Sequence, residues 1–566
     1  MTTAKSTNGA SGAVQRPATP IDKIAEDWVD TLVDLDPTVG TYIGRTEGDG
    51  RFGDFSPAGH ERYIAEATRI ITALDAATVI DDVDRVTQTD LRATLALELE
   101  SSAANLQLRD LNVIASPAQG IREIFDLMPT KTVDDWSNIS SRLGAVPNAV
   151  DGYIETLRLG IERGVTPARR QVLEVLAQVQ RHSANDGFFA EFASEASLEQ
   201  GSLPASLASD LGLGARRSAS AFEKLGDFLR NDLAPVATEA DAVGRDHYAL
   251  TSRQFLGATI DLDETYEWGV DELARMVSEQ ESVARQIKPG ATVLEAIAFL
   301  DTDPSRKLHG TDALQKWMQE TSDRAVAELA DTQFDIPDEI KAIECMIAPT
   351  QEGGIYYTGP TDDFSRPGRM WWSVPVGVTE FDTWRELTTV YHEGVPGHHL
   401  QIGQAVYNRA KLNTWRRQLA GTSGHAEGWA LYAERLMEQL GYLDDPADRL
   451  GMLDGQRMRA ARVVLDIGVH LGKQRPDGGG KWTAEYAFEF LGQNVNMNEG
   501  FVKFEVNRYL GWPGQAPSYK VGQRIWEQLR DECAAREGSS FSIKEFHRRA
   551  LDLGGVGLDT LRSALA

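Results

Sequence analysis

The residues best suited to chemistry lie in one short run, Tyr391-His392-Glu393-Gly394-Val395-Pro396-Gly397-His398-His399. A hydrolytic zinc site needs about three nitrogen or oxygen ligands, an open position for water, and a base beside it. The familiar arrangement sets two histidines four residues apart on one helix, with a glutamate next to the first. His392-Glu393 begins that pattern, but Pro396 stands at the fourth position. On an unbroken helix, at about 100° per residue, position i+7 returns to within about 20° of residue i, whereas i+6 lies about 120° away. A continuous helix would therefore pair His392 with His399. Pro396-Gly397 works against continuity, because proline removes a backbone donor and clashes with the preceding turn while glycine adds freedom. A local bulge could absorb the extra two residues and bring His398 round instead. Geometry alone leaves both histidines open.

The third ligand is expected on a neighbouring helix, in Gly424-His425-Ala426-Glu427-Gly428-Trp429-Ala430-Leu431-Tyr432-Ala433-Glu434. Glu427 and Glu434 are seven apart and share a helical face. One is expected to bind metal and the other to orient a ligand histidine, and Glu427 is assigned as the ligand. Glu393 is the natural general base, taking a proton from water and passing it to the leaving amine. The carbonyl oxygen gains negative charge in the transition state and needs a further donor. Tyr519, Arg508 and Lys520 are the candidates, with Tyr519 preferred as the second catalytic residue. Asp466 and His470, four apart on an expected helix, could pair behind the ligands, contact substrate, or make a helix-surface hydrogen bond. Gly478-Gly479-Gly480-Lys481 lacks the phosphate-loop spacing and reads as a turn before Thr483 caps a helix. His182, His247, His309 and His547 stand alone and read as structural or surface residues.

The elements that must position these groups are mostly helices. Ser56-Pro57 offers an N-cap and a proline at the first helical position. Apolar residues recur at helical spacing through 61–76, through Ile154, Leu157 and Ile161, and, after a break at Gly164, through Val172, Leu173 and Leu176. The segments 218–233 and 265–287 follow the same rule. One region departs from it: residues 354–358 and 370–374 are aromatic and β-branched around a turn-rich stretch, which predicts a β-hairpin or two edge strands. The Tyr356-Tyr357 strand could pair with an extended peptide. Thr383 and Glu386 fit a capping box opening the helix that carries His392.

Composition narrows the class. The 566 residues are 42% hydrophobic and 25% charged, as in globular proteins. The net charge of −28, from 85 acidic and 57 basic side chains, disfavours a nucleic-acid partner. Cys345 and Cys533 are too few for a disulfide framework and read as small apolar residues. Residues 1–19 are expected to be a flexible tail, neither secretion signal nor membrane anchor. No stretch approaches the roughly 20 apolar residues of a membrane span, so a cytoplasmic location is expected.

The run Tyr391 to Gln401 and the block Glu427-Gly428-Trp429-Ala430-Leu431-Tyr432-Ala433-Glu434 resemble the hallmark segments of a bacterial domain family of unknown function, number 885, grouped with the zincin-like metallopeptidases. Arg462 to His470, Arg508-Tyr509, Pro513 to Ala516, Tyr519 to Gly522 and Asp36-Pro37-Thr38 resemble it too. The family pattern, His-Glu-x-x-Pro-Gly-His, implies His398 as second ligand beside His392 and Glu427, with one Zn2+ per chain. The resemblance further implies a mainly α, oligopeptidase-like zincin architecture, with a small antiparallel hairpin or sheet beside the active-site helix and a deep channel. Residues 20–345 would form one side of that channel and 346–566 the zinc-binding region. The function so implied is hydrolysis of amide bonds in short peptides or amide-containing small molecules. Two other classes compete: a non-haem iron oxygenase using two histidines and one carboxylate, and a non-catalytic helical binding protein. The oligomeric state is left open, a homodimer being one option.

Overall fold

Helices form where capping chemistry and apolar spacing coincide. In the computed structural model, which describes residues 15–349 and 354–566, Ser56 accepts from the Gly59 amide at 3.3 Å and opens the helix Pro57–Ala76. Gly164, in the left-handed region, ends Val133–Arg163, and Arg169–Ser183 follows. The helix expected over 218–233 is the latter part of Ala205–Phe228, continued by a π-helical turn over Leu229–Leu233. The one expected from Thr265 starts at Leu262, behind the Asp261 cap, and runs to Ile287. Thr483 caps Ala484–Asn494, as its place after the glycine turn predicts. The fold is mainly helical with small sheets.

Residues 1–14, most of the expected tail, lie outside the described residues. From residue 15 the chain is anchored: Arg16 pairs with Asp22, Asp81 and Asp84, and Thr19 forms a capping box with Asp22 at the start of Pro20–Leu35.

The helices bury two large apolar cores. One is built by residues 111–237, with Phe125, Tyr153, Phe189 and Phe222 inside. The central one draws on residues from Val86 to Leu565 and so crosses position 345, which itself lies in a strand. Its axis is Pro446–Leu471, whose residues 460–470 are all buried. A helix stretch buried on every side must be enclosed by others. It packs against Leu262–Ile287, Thr383–Glu393 and Gln515–Glu537. Trp384, Trp429 and Trp526 are fully buried there. With roughly 200 Å² buried each, an indole contributes about 5 kcal/mol before entropy is counted.

Strands β1 (Lys307–His309) and β5 (Glu380–Asp382) pair antiparallel. The expected hairpin is present as β3 (Ile355–Thr358) and β4 (Gly368–Trp372), with Tyr356 opposite Trp371. A third strand, β2 (Ile343–Ile347), joins parallel to β4, an addition local patterning did not predict. The capping box at Thr383 does not form. Asp382 is the N-cap residue, its carboxylate turned to Lys307 at 2.8 Å, and Thr383 is the first helical residue. A cavity of about 670 Å³ opens between the N-terminal helices and the turn 510–513, walled by His60, Arg109, Tyr153, His247 and Trp512 among others.

Candidate functional site

The helix Thr383–Glu393 stops inside the motif. The Gly394 amide donates to the Val390 carbonyl at 2.9 Å and the Gly397 amide to the Tyr391 carbonyl at 3.0 Å, and a new helix, His398–Tyr407, begins. The two extra residues are therefore not a bulge in a continuous helix. They belong to a link between two helices. Gly397 is needed there because a Cβ at that position would collide with the His392 carbonyl oxygen. The link is held from outside by the Trp429 indole, whose N–H reaches the Pro396 carbonyl at 2.9 Å.

This break decides which histidines meet. The rings of His392 and His398 lie 4.8 Å apart at 89° to each other. Glu427 Oε2 stands 3.3 Å from His392 Nε2 and 3.8 Å from His398 Nε2. His399 turns away: Nδ1 is 2.9 Å from the Tyr357 hydroxyl and Nε2 is 2.6 Å from the Ile340 carbonyl. Of the two candidates, only His398 faces Glu427.

Ligand atoms about 2.0–2.2 Å from a tetrahedral zinc stand about 3.3–3.6 Å from one another. The separations of 3.3 and 3.8 Å from Glu427 suit that arrangement. The Glu393 carboxylate lies close as well, with one oxygen and one nitrogen of each histidine all within 4.8 Å. Its Oε2 is buried without a hydrogen-bond partner among the described residues, as is His398 Nδ1. The Glu427 side chain is 23% exposed whereas that of Glu434 is 2% exposed, so the centre opens on the Glu427 side.

Electrostatics separate the roles of the groups. Burial disfavours the Glu427 anion, yet His392, His398 and Arg459 hold its pKa down at about 2. Burial pushes the Glu393 carboxyl up to about 7, with Glu427 adding to the effect and His392 opposing it. Burial also keeps His398 neutral, at about 4, the form that offers a lone pair to a metal.

Behind His392 runs a buried polar chain. Glu434 Oε1 is 2.8 Å from His392 Nδ1, which fixes the ring and leaves Nε2 for the centre. Gln456 donates to Glu434 Oε2 at 3.3 Å, and Lys520 donates to Gln456 at 2.6 Å and pairs with Glu272 at 2.9 Å. Lys520 is thus enclosed in this chain and is not placed to meet a substrate oxygen. Arg508 is likewise engaged, with Glu505 at 3.0 Å and Gln515 at 2.9 Å. Asp466 and His470 lie 3.9 Å apart and are engaged elsewhere: Asp466 accepts from the Tyr248 hydroxyl at 2.6 Å and the Gly514 amide at 2.9 Å, while His470 sits at 3.1 Å from the Tyr509 carbonyl. Tyr519 differs from these. Its hydroxyl hydrogen-bonds to no described residue, and burial with the nearby Glu427 charge raises its pKa.

Arg459 was not singled out by type or spacing, yet its charge acts on Glu393, Glu427, Glu434 and Tyr519. A signal existed. Gln456, Arg459, Arg462, Asp466 and His470 recur at three- and four-residue intervals along the inner length of this helix, which marks one polar stripe.

Among the described residues, no helix is long and apolar enough to cross a membrane. No curated protein matches the chain. The crystal structure of a "putative lipoprotein" from Colwellia psychrerythraea is similar at 22% identity over 97% of this chain and 99% of that one, with a TM-score of 0.82. A "putative lipoprotein of unknown function" from Shewanella oneidensis is similar at 16% identity over 96% and 99%, with a TM-score of 0.74. At these identities the likeness speaks for the fold alone. The sequence pattern of one family covers residues 37–565. The chain therefore belongs to DUF885, a family of bacterial proteins of unknown function.

Proposed function

We propose that this chain is a zinc-dependent hydrolase of amide bonds with an oligopeptidase-like zincin architecture, acting on short peptides or amino-acid conjugates. One observation carries the reading: His392 Nε2, His398 Nε2 and Glu427 Oε2 converge beside a buried Glu393 oxygen that has no hydrogen-bond partner among the described residues. His392, His398 and Glu427 would hold one zinc ion, leaving Glu393 free as a base. When bound, zinc supplies Lewis acidity to the scissile carbonyl and lowers the pKa of water.

The chain's own residues do the rest. Glu393 accepts the proton of the attacking water and hands it to the leaving nitrogen. The Tyr519 hydroxyl donates to the carbonyl oxygen as charge develops there. Glu434 keeps His392 in the tautomer with its lone pair on Nε2. The short strand β3, joined to this region through Tyr357 and His399, offers an open edge to an extended peptide. Nucleic acid and membrane are not proposed as partners.

The test is metal analysis of protein purified without added metal, together with turnover of a short-peptide panel. One zinc per chain is expected. Glu393→Gln should keep the metal and lose about 10²–10⁴ in kcat, and Tyr519→Phe about 10–10³ in kcat with a smaller change in KM. Unchanged turnover in Glu393→Gln would remove the general base from the scheme. Stoichiometric iron with oxygen-dependent activity would favour the oxygenase. The cytoplasmic expectation has a competitor, since both similar solved proteins carry the description "putative lipoprotein"; cell fractionation separates the two locations.

A further inference from the structure

Around Tyr519 the balance of charge is reversed. The chain carries a net −28, and three glutamates crowd the two histidines. Beside them, where Pro446–Leu471 packs on Gln515–Glu537, Arg459, Arg462 and Arg508 gather near Tyr519, and Arg462 and Arg508 share the carboxylate of Glu505. Arg462 and Arg508 both donate to Glu505 Oε2, at 2.9 and 3.0 Å. Tyr509 donates to the same group, and Arg462 reaches the Tyr509 hydroxyl at 2.6 Å. All three contacts converge on Glu505 Oε2.

Arg459 has no such partner. Among the described residues its guanidinium makes no hydrogen bond or ion pair, and its Nε is buried and unsatisfied. It lies 6.0 Å from the Tyr519 ring centroid, with Arg462 at 5.2 Å. It follows by one helical turn Gln456, whose amide reaches Glu434 behind His392 at 3.3 Å, and its charge acts on Glu427 and Glu393, which places it beside the candidate centre. With Nε buried and the terminal nitrogens free of protein partners among the described residues, the guanidinium can receive an anion that offers two matching oxygens.

We propose that Arg459 receives the terminal carboxylate of a peptide, so that the chain is taken by its free C-terminus and cut close to that end. The inference rests on the amide-hydrolase reading above and adds a substrate class to it. In the reaction, the water oxygen bonds to the acyl carbon and the C–N bond breaks. The proton passes through Glu393 to the departing amine of the C-terminal fragment, whose carboxylate stays on Arg459.

Three peptides test this: a free acid, its C-terminal amide, and the same amide with aspartate as its last residue. The free acid should exceed the plain amide by roughly ten- to a hundredfold in kcat/KM, as expected for one charge-assisted contact. In Arg459→Gln that ratio should fall close to one. A ratio unaltered by the substitution would overturn the proposal, because a guanidinium that merely balances nearby glutamates affects both peptides alike. An aspartate amide as good as the free acid would overturn the terminal assignment in favour of a side-chain carboxylate. Calorimetric binding of the same peptides to Glu393→Gln, with and without Arg459→Gln, reads the preference without turnover. If no peptide is hydrolysed by the parent protein, the hydrolase reading fails, while the binding ratios still decide the role of Arg459.

Discussion

Both ring nitrogens of His399 are engaged, by Tyr357 and by the Ile340 carbonyl, whereas His398 keeps its Nε2 toward Glu427. The difference is a matter of neighbours, since the two residues are identical in type and adjacent in sequence. Glu386, on the same helix as His392, shows how environment fixes the state of one side chain. Burial, with help from Asp382 and against Arg385, raises its carboxyl to about 7 from an ordinary 4.5. A carboxyl with a raised folded pKa holds more protons in the folded state, so its contribution to stability is present below the lower value and lost as pH rises to the upper one. Glu386→Gln should therefore match the parent near pH 4 and exceed it at pH 8 by about 1–2 kcal/mol, a figure reduced for half-burial and for the favourable helix N-terminus. Urea unfolding at the two pH values checks this, and equal differences at both would refute it. The type and spacing of His392, Glu393, Glu427 and Glu434 made them legible in the sequence. Helix geometry could not choose between His398 and His399, and only the family resemblance pointed to His398, because the choice depends on a link secured by Trp429 on another helix. Arg459 was legible only as one member of a polar stripe, whose meaning depends on what the stripe faces.

Helices were readable where their signals are local, as at Ser56, Gly164 and Thr483. The third strand β2 was not, because its pairing with β4 joins segments more than twenty residues apart and leaves no mark in either alone. Nor could the sequence show that Asp382 displaces Thr383 as the cap. The helices carrying the site also meet by a contact that only packing reveals. Gly428, between Glu427 and Trp429, lies against Gly522, and a Cβ on Gly428 would collide with the Gly522 backbone. Two helices that approach this closely set the height of Glu427 over the histidines. Gly428→Ala should cost about 1–3 kcal/mol by overpacking and weaken zinc binding as Glu427 is displaced. A thermal melt combined with a zinc titration measures both effects, and parental zinc affinity in a destabilised variant would dissociate the helix contact from the site.

At the scale of the whole molecule, the candidate metal centre lies at the meeting of helices drawn from distant parts of the chain, inside the core that runs from Val86 to Leu565. A ligand that binds only the folded state stabilises it by mass action, by about 4 kcal/mol at a thousandfold excess over Kd. Chelated protein should accordingly melt at a lower temperature, with Tm rising again as zinc is returned, and His392→Ala should abolish that dependence. A Tm indifferent to zinc in the parent protein would argue against a metal at this place. The Trp429 clasp carries one more consequence, for transplantation. A histidine motif contained in a single helix can be moved to another scaffold as a cassette, since its spacing travels with it. Here the spacing is imposed by an indole from a separate helix, so a peptide spanning both histidines would leave behind the brace that brings them together. Any graft of this centre must take the two helices, their link and the tryptophan as one unit.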